Sequence, residues 1–342
     1  MNENLGRSGK NRLFVGLAAA AAGLLLLGSG TGGASTSDKI PKGLSGLNGP
    51  FNLAGPRTAE VRHFIQETQV IHLGFDGKRT GLVTYTVKLR CVPAPLSGKD
   101  GDEYTCREFK IRVNEGEAVT VPSLAGWSYL YKATPTGMDE KGQVFGIPHD
   151  KFEDLVDSRG NKLPVTLRYP VYNSFIDFHA FCDILARPIV GGAGIQDLKT
   201  IGQKIVHASA FTEPPVNLGS GIKAGSFFRN GEVKLAFKGL GLVDGAACAV
   251  IGHDSGESTL RMIMPLGADR DMVTEGGSEY LGDIYIDIET RWVRKITLDE
   301  FVVTETRMPG PGGAAGQGAK IPNYTVRHLL TRLVGREEFE KD

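Results

Sequence analysis

The spacing of apolar residues narrows the fold of this chain more than any other feature. Gly81–Cys91 puts Val83, Tyr85, Val87, Leu89 and Cys91 on one side and mostly polar residues on the other. That period of two belongs to a strand with one buried face. Gln69–Phe75 precedes it across Asp76-Gly77, the residue pair of a tight hairpin turn. Similar runs follow at Phe109–Val113, Trp127–Tyr131, Val233–Phe237, Ala247–Ile251 and Ser258–Met264. Ile284–Ile288 and Val293–Val303 pair around Glu289-Thr290-Arg291, and Tyr324–Val334 closes the series. Glycine supplies 46 of 342 residues, about twice the usual share of roughly 7%, and much of it lies between the runs as turns. The pattern predicts a mainly β chain of antiparallel sheets, as a curved half-barrel or as sandwich-like lobes, with a few short helices.

Three stretches read as helical. Asp150 caps a short one carrying Phe152, Leu155 and Val156, which Gly160 ends. Ser174 caps a second through Leu185, with Phe178, Cys182 and Leu185 on one face, although strand alternation fits it almost as well. Ile195, Leu198, Ile201 and Ile205 form a third amphipathic stretch. The chain therefore divides into an N-terminal β region (57–172), a helical connection (173–207) and a C-terminal β region (208–342). Met308–Pro322 is a Gly/Pro/Ala loop too flexible to pack.

Residues 1–34 read as an export signal. Arg7, Lys10 and Arg12 precede an apolar run, Leu13–Gly28, and small residues follow it. The run is short of the roughly 20 residues of a spanning helix, so cleavage is expected between about Gly30 and Asp38. An uncleaved membrane anchor is the alternative, and is the one membrane contact expected. Residues 35–56, rich in Gly, Ser and Pro, read as a tether. The 39 basic and 39 acidic residues balance, so no field favours nucleic acid.

An exported chain with four cysteines, Cys91, Cys106, Cys182 and Cys248, suggests disulfides. Sequence order favours Cys91–Cys106 and Cys182–Cys248, with buried free thiols as the alternative. The first pairing carries a conflict: Cys91 shares parity with an apolar face, and Cys106 with Glu108, Lys110 and Arg112. It needs a bulge or break before Phe109.

No residue set commits to catalysis, a cofactor or a metal. Asp254-Ser255-Gly256 follows an apolar run, as in aspartic proteases. Gly252-His253 intervene, though, and there is no second copy, so a hairpin tip from Gly252 to Glu257 is expected. His253, Asp254 and Ser255 are residue types of a hydrolase triad, but neighbours on an extended chain point apart. His179, Cys182 and Asp183 have a spacing a metal can use on a helix, without the second cluster zinc needs. Asp283, Tyr285, Asp287 and Glu289 share a strand face, which reads as a solvated face balanced by Arg291, Arg294 and Lys295 rather than a calcium cage.

The segment Gly277–Val303 (GSEYLGDIYIDIETRWVRKITLDEFVV) resembles the strand–Asp–turn–strand hairpin of secreted bacterial β-proteins, among them the half-barrel lipoprotein carriers. The resemblance implies a curved antiparallel sheet whose concave face holds an apolar ligand, and it carries over no functional residue. The leading expectation is an exported, non-enzymatic binding module for an apolar ligand or a protein partner. A structural or assembly component of the cell envelope is the alternative, and an enzyme of unrecognised type the second.

Overall fold

The computed structural model describes residues 44, 46–132, 143–214, 221–267, 270–310 and 318–341. The export segment, residues 35–43 and 45 of the tether and the centre of the Met308–Pro322 loop lie outside the described residues. The strands, in chain order, are β1 (Arg62–Leu73), β2 (Arg79–Val92), β3 (Asp102–Val113), β4 (Val119–Thr120), β5 (Ser128–Tyr131) and β6 (Lys204–Val206). There follow β7 (Phe227–Arg229), β8 (Lys234–Val243), β9 (Ala246–Asp254), β10 (Ser258–Pro265), β11 (Asp271–Asp287), β12 (Val293–Arg307) and β13 (Lys320–Val334). The α-helices are α1 (Ala94–Ser97), α2 (Val165–His179) and α3 (Arg336–Phe339).

The strands form one antiparallel sheet in the order β4-β3-β2-β1-β13-β12-β11-β9-β8-β6; β5 pairs with β3, while β10 pairs with β11 and β7. It does not close into a barrel. β13 returns to lie against β1, with Phe64 opposite Leu333 and Thr68 opposite Leu329. The N- and C-terminal β regions thus share one continuous sheet.

Alternation decides the inner face. Phe64, Val87, Leu89, Phe109, Ile284, Ile286, Ile296, Leu298 and Leu329 are all buried there. α2 lies over this face: Phe178 meets Phe64 edge-on at 5.1 Å and Phe175 stacks on Phe109 at 5.9 Å. A buried chain of hydrogen bonds fixes the helix on the sheet. Thr331 Oγ1 donates to Gln66 Oε1 (2.9 Å), and Gln66 Nε2 donates to the Ser174 carbonyl (2.7 Å). Satisfied on both sides, these polar groups specify the helix's position as apolar packing alone does not.

The predicted hairpins at Asp76-Gly77 and Glu289-Thr290-Arg291 form. Gly77 takes φ +73°, and the Asp287 carboxylate accepts the backbone N–H groups of Glu289 and Thr290 (2.9 and 2.8 Å). Other expectations change. The second helix starts at Val165, runs through Pro170 and passes into a π-helical turn, Ala180–Ile184. The first reduces to a 3₁₀ turn, His149–Phe152. The Ile195–Ile205 stretch is not a helix: a 3₁₀ turn at Ile195–Asp197 gives way to a loop and β6, Gly202 takes φ +90°, and Ile201 is exposed.

Candidate functional site

Among the described residues, the largest concentration of buried charge lies where the end of α2 meets β3 and β5. His179 ends α2, Asp183 lies in the π turn and Arg187 follows just beyond it, and their side chains meet. Asp183 is fully buried and accepts from four groups. Arg57 Nη1 and Arg187 Nε each donate to its Oδ1 at 2.8 Å, while His179 Nδ1 (2.7 Å) and the Tyr104 hydroxyl (3.3 Å) reach Oδ2. With the carboxylate accepting from Nδ1, His179 Nε2 accepts from the Tyr129 hydroxyl at 2.7 Å. Arg187 Nη2 also bonds Asp102 (2.5 Å), whose other oxygen accepts the Ala94 backbone N–H (2.8 Å). Arg57 caps the cluster, its guanidinium 4.5 Å from the Trp292 ring.

Two carboxylates and two guanidinium groups balance, so the cluster needs no outside counter-ion. Burial opposes ionisation of Asp183, but Arg187, the His179 hydrogen bond and Arg57 outweigh it and hold the carboxyl well below the usual range. Burial also lowers the pKa of His179 despite the Asp183 bond, which keeps the ring neutral at pH 7. The Tyr129 and Tyr104 phenols are pushed well up by burial.

Tyr129, His179 and Asp183 thus have the residue types and hydrogen bonds of an acid–base relay. Rings seal it: Tyr131 stacks on His179 at 4.6 Å, and Tyr104, Phe178 and Phe145 approach edge-on at 4.8, 5.2 and 6.1 Å. A general base must reach the proton it moves, directly or through one water. His179 and Asp183, both fully buried, reach no solvent. The network positions other groups.

The group it presents is Arg187. This side chain is 29% exposed and lines a cleft of about 360 Å³ with Asp100, Gly101, Asp102, Tyr131 and Lys132. Its Nε and Nη2 are committed to Asp183 and Asp102; Nη1 has no partner among the described residues. Gly101 shapes the wall, because at φ +132° a Cβ there would lie 2.5 Å from the Tyr131 carbonyl oxygen. A second cleft, of about 320 Å³, lies beyond the N-terminus of α2 among Ile111, Val113, Val119, Leu163 and Leu167. It holds the exposed Arg159–Glu117 ion pair and no comparable buried network.

The other predicted residues do not converge. His253 points inward and is buried, while Asp254 alternates to the other face; Ser255 is fully buried, its hydroxyl donating to the Gly256 carbonyl (2.8 Å) and accepting from Tyr280 N (2.9 Å). The hairpin tip is corrected to a bulge. Asp254 faces Leu281 and Ser258 faces Ser278 on the same strand β11, so β9 and β10 continue in one direction with one extra residue between them. Asp283 is held by Lys238 (2.7 Å) and Asp287 by Arg294 (2.8 Å). Among the described residues no three metal-ligand side chains cluster.

The disulfides are corrected too: Cys91, Cys106, Cys182 and Cys248 are buried free thiols. The expected bulge is present, since Lys88 faces Glu108 while Leu89 faces Cys106, leaving Arg107 extra. It turns Cys106 inward, but Cys91 faces Tyr104, so the two thiols are diagonal neighbours. Diagonal positions stand roughly 7–8 Å apart, beyond the usual ~4.4–6.8 Å of a disulfide. Cys182 sits in the π turn under Arg57, which bonds its carbonyl, and Cys248 faces Asp287 on β11.

Sequence reasoning weighed His179 and Asp183 only as metal ligands and set that reading aside in favour of a partly exposed His179, which is instead fully buried, and it missed Arg187, Arg57, Tyr104, Tyr129 and Asp102. The signal within reach was the three-residue helical spacing His179–Asp183–Arg187. Comparison with protein-family models gives no match, and comparison with curated proteins gives none either.

Proposed function

We propose that the chain is an exported, non-enzymatic binding module whose ligand presents a carboxylate to Arg187. The observation that carries this reading is a guanidinium held by two carboxylates in the wall of a cleft, with Nη1 unbonded among the described residues. A fixed guanidinium binds a carboxylate in a defined plane and loses little freedom in doing so. Lys132 on the rim adds a second cation, while Asp100, exposed on the same rim, is screened by water. The sealed relay supports binding over catalysis. The ligand chemistry moves from apolar to acidic because α2 and its aromatic side chains fill the inner face where an apolar ligand was expected.

Titration calorimetry with acetate and succinate tests the proposal, with ethylammonium as control. Binding of the carboxylates, lost at least tenfold in Arg187→Gln with the fold intact by circular dichroism, is the expected result. Equal heats from the variant, or none from the native protein, would overturn it. The alternative, an assembly component of the cell envelope, is favoured by a separate feature: an apolar band on the outer face of the sheet.

A further inference from the structure

The run Lys99-Asp100-Gly101-Asp102 leads from α1 into β3. With Gly101 at φ +132° between them, its two acids part. Asp102 is buried, and its oxygens accept from Arg187 Nη2 and the Ala94 backbone N–H. Asp100 is exposed. The neighbouring cation, Lys99, is taken up by Glu103. Among the described residues the Asp100 carboxylate therefore has no ion pair, and neither has the Lys132 ammonium, which is exposed on the same cleft.

The cleft is thus lined by two cations, Arg187 and Lys132, and by two carboxylates, Asp100 and Asp102. These charges cancel, and Asp183 and Arg57 behind them form a further ion pair. A ligand with net negative charge gains at Arg187 and Lys132 but meets two carboxylates of its own sign. A ligand that carries both signs gains at the cations and at Asp100 as well. Water screens Asp100 where it stands alone; a cation brought by the ligand turns the same group into a contact. Its oxygens accept no hydrogen bond among the described residues, and an ammonium offers three donors. Ala94, Gly101 and Tyr131 make up the rest of the lining, and about 360 Å³ suits a small molecule.

We infer that the ligand is a small zwitterion of the amino-acid class, an assignment that rests on the carboxylate reading of Arg187. Its carboxylate meets Arg187 and Lys132, and its ammonium meets Asp100. The second charge is what separates an amino acid from a simple acid at this cleft.

Titration calorimetry of the full chain at low salt compares acetate with glycine, β-alanine and 4-aminobutyrate, whose two charges stand progressively further apart. The native protein should bind at least one of the three about fivefold more tightly than acetate, the upper reach of one exposed ion pair. Asp100→Asn should move the two classes in opposite directions. It removes an attraction for the amino acid, which weakens, and a repulsion for acetate, which strengthens. A variant that only disturbed the loop would weaken both, and that outcome overturns the inference. Asp100 is exposed, far-ultraviolet circular dichroism checks the fold, and Asp100→Glu, which keeps the charge, should keep the preference. Acetate bound as tightly as all three amino acids would overturn the zwitterion and leave the carboxylate reading standing. An amino-acid preference unchanged in Asp100→Asn would overturn it too. No binding of any probe by the native protein would overturn both readings.

Discussion

His207 and His253 are the residues whose ionisation matters most for stability. Both are buried, and His207 Nε2 and His253 Nδ1 have no hydrogen-bond partner among the described residues. Burial holds both pKa values at about 4, with Asp254 opposing the shift at His253 and His207 adding to it. In the unfolded chain they titrate near 6.5. A base with a depressed folded pKa contributes stability that is complete above the unfolded value and is lost as pH falls towards the folded one. Stability in chemical denaturation should therefore fall between pH 6.5 and 5, before most carboxylates titrate, by up to about 2 kcal/mol per histidine at pH 5. His207→Gln should flatten the profile; an unchanged slope would remove this histidine from the account. Asp183 is the other sensitive position. Asp183→Asn leaves Arg57 and the partly exposed Arg187 with one carboxylate and should cost about 2–4 kcal/mol in chemical denaturation. A loss under 1 kcal/mol would show that the cluster is not buried as described.

Among elements, those with local chemical punctuation were readable in advance. Asp76-Gly77 and the Asp287 turn carry their own hydrogen-bond partners, so their hairpins follow from a few residues. The parity conflict at Cys106 pointed to a bulge only as a requirement of a Cys91–Cys106 bridge; the bulge at Arg107 forms without the bridge. By contrast, α2 begins with Val165 and Thr166 and contains Pro170, all poor helix formers, and it is held by Gln66 and the Phe64–Phe178 contact across the fold. Asp254–Gly256 misleads for a different reason: a bulge and a hairpin tip use the same small polar residues, and the partner strand decides between them. The site was least legible, since Arg57 and Asp183 meet across 126 residues of chain. Register also decides the cysteines. Burial raises the Cys106 and Cys248 thiols to about 12 and about 11, so the native protein should resist alkylation at pH 8 and yield four reactive thiols in denaturant. A Cys91–Cys106 crosslink in a non-reducing peptide map would contradict the β2–β3 register.

At the scale of the molecule, one sheet does two things with its two faces. The inner face, with α2 and the π turn, builds a charge-balanced knot whose exposed product is Arg187. The outer face keeps an apolar band open to solvent. A sealed relay and a partly exposed guanidinium make sense together if the knot exists to hold that one group still, as preorganised binding requires. The nitrogen-15 NMR signal of the Arg187 Nε–Hε group reads this directly. A guanidinium locked onto Asp183 should keep a sharp, slowly exchanging Nε–Hε peak at pH 7 that shifts saturably with succinate and not with ethylammonium. A peak lost to rapid exchange, or one indifferent to succinate, would contradict the account.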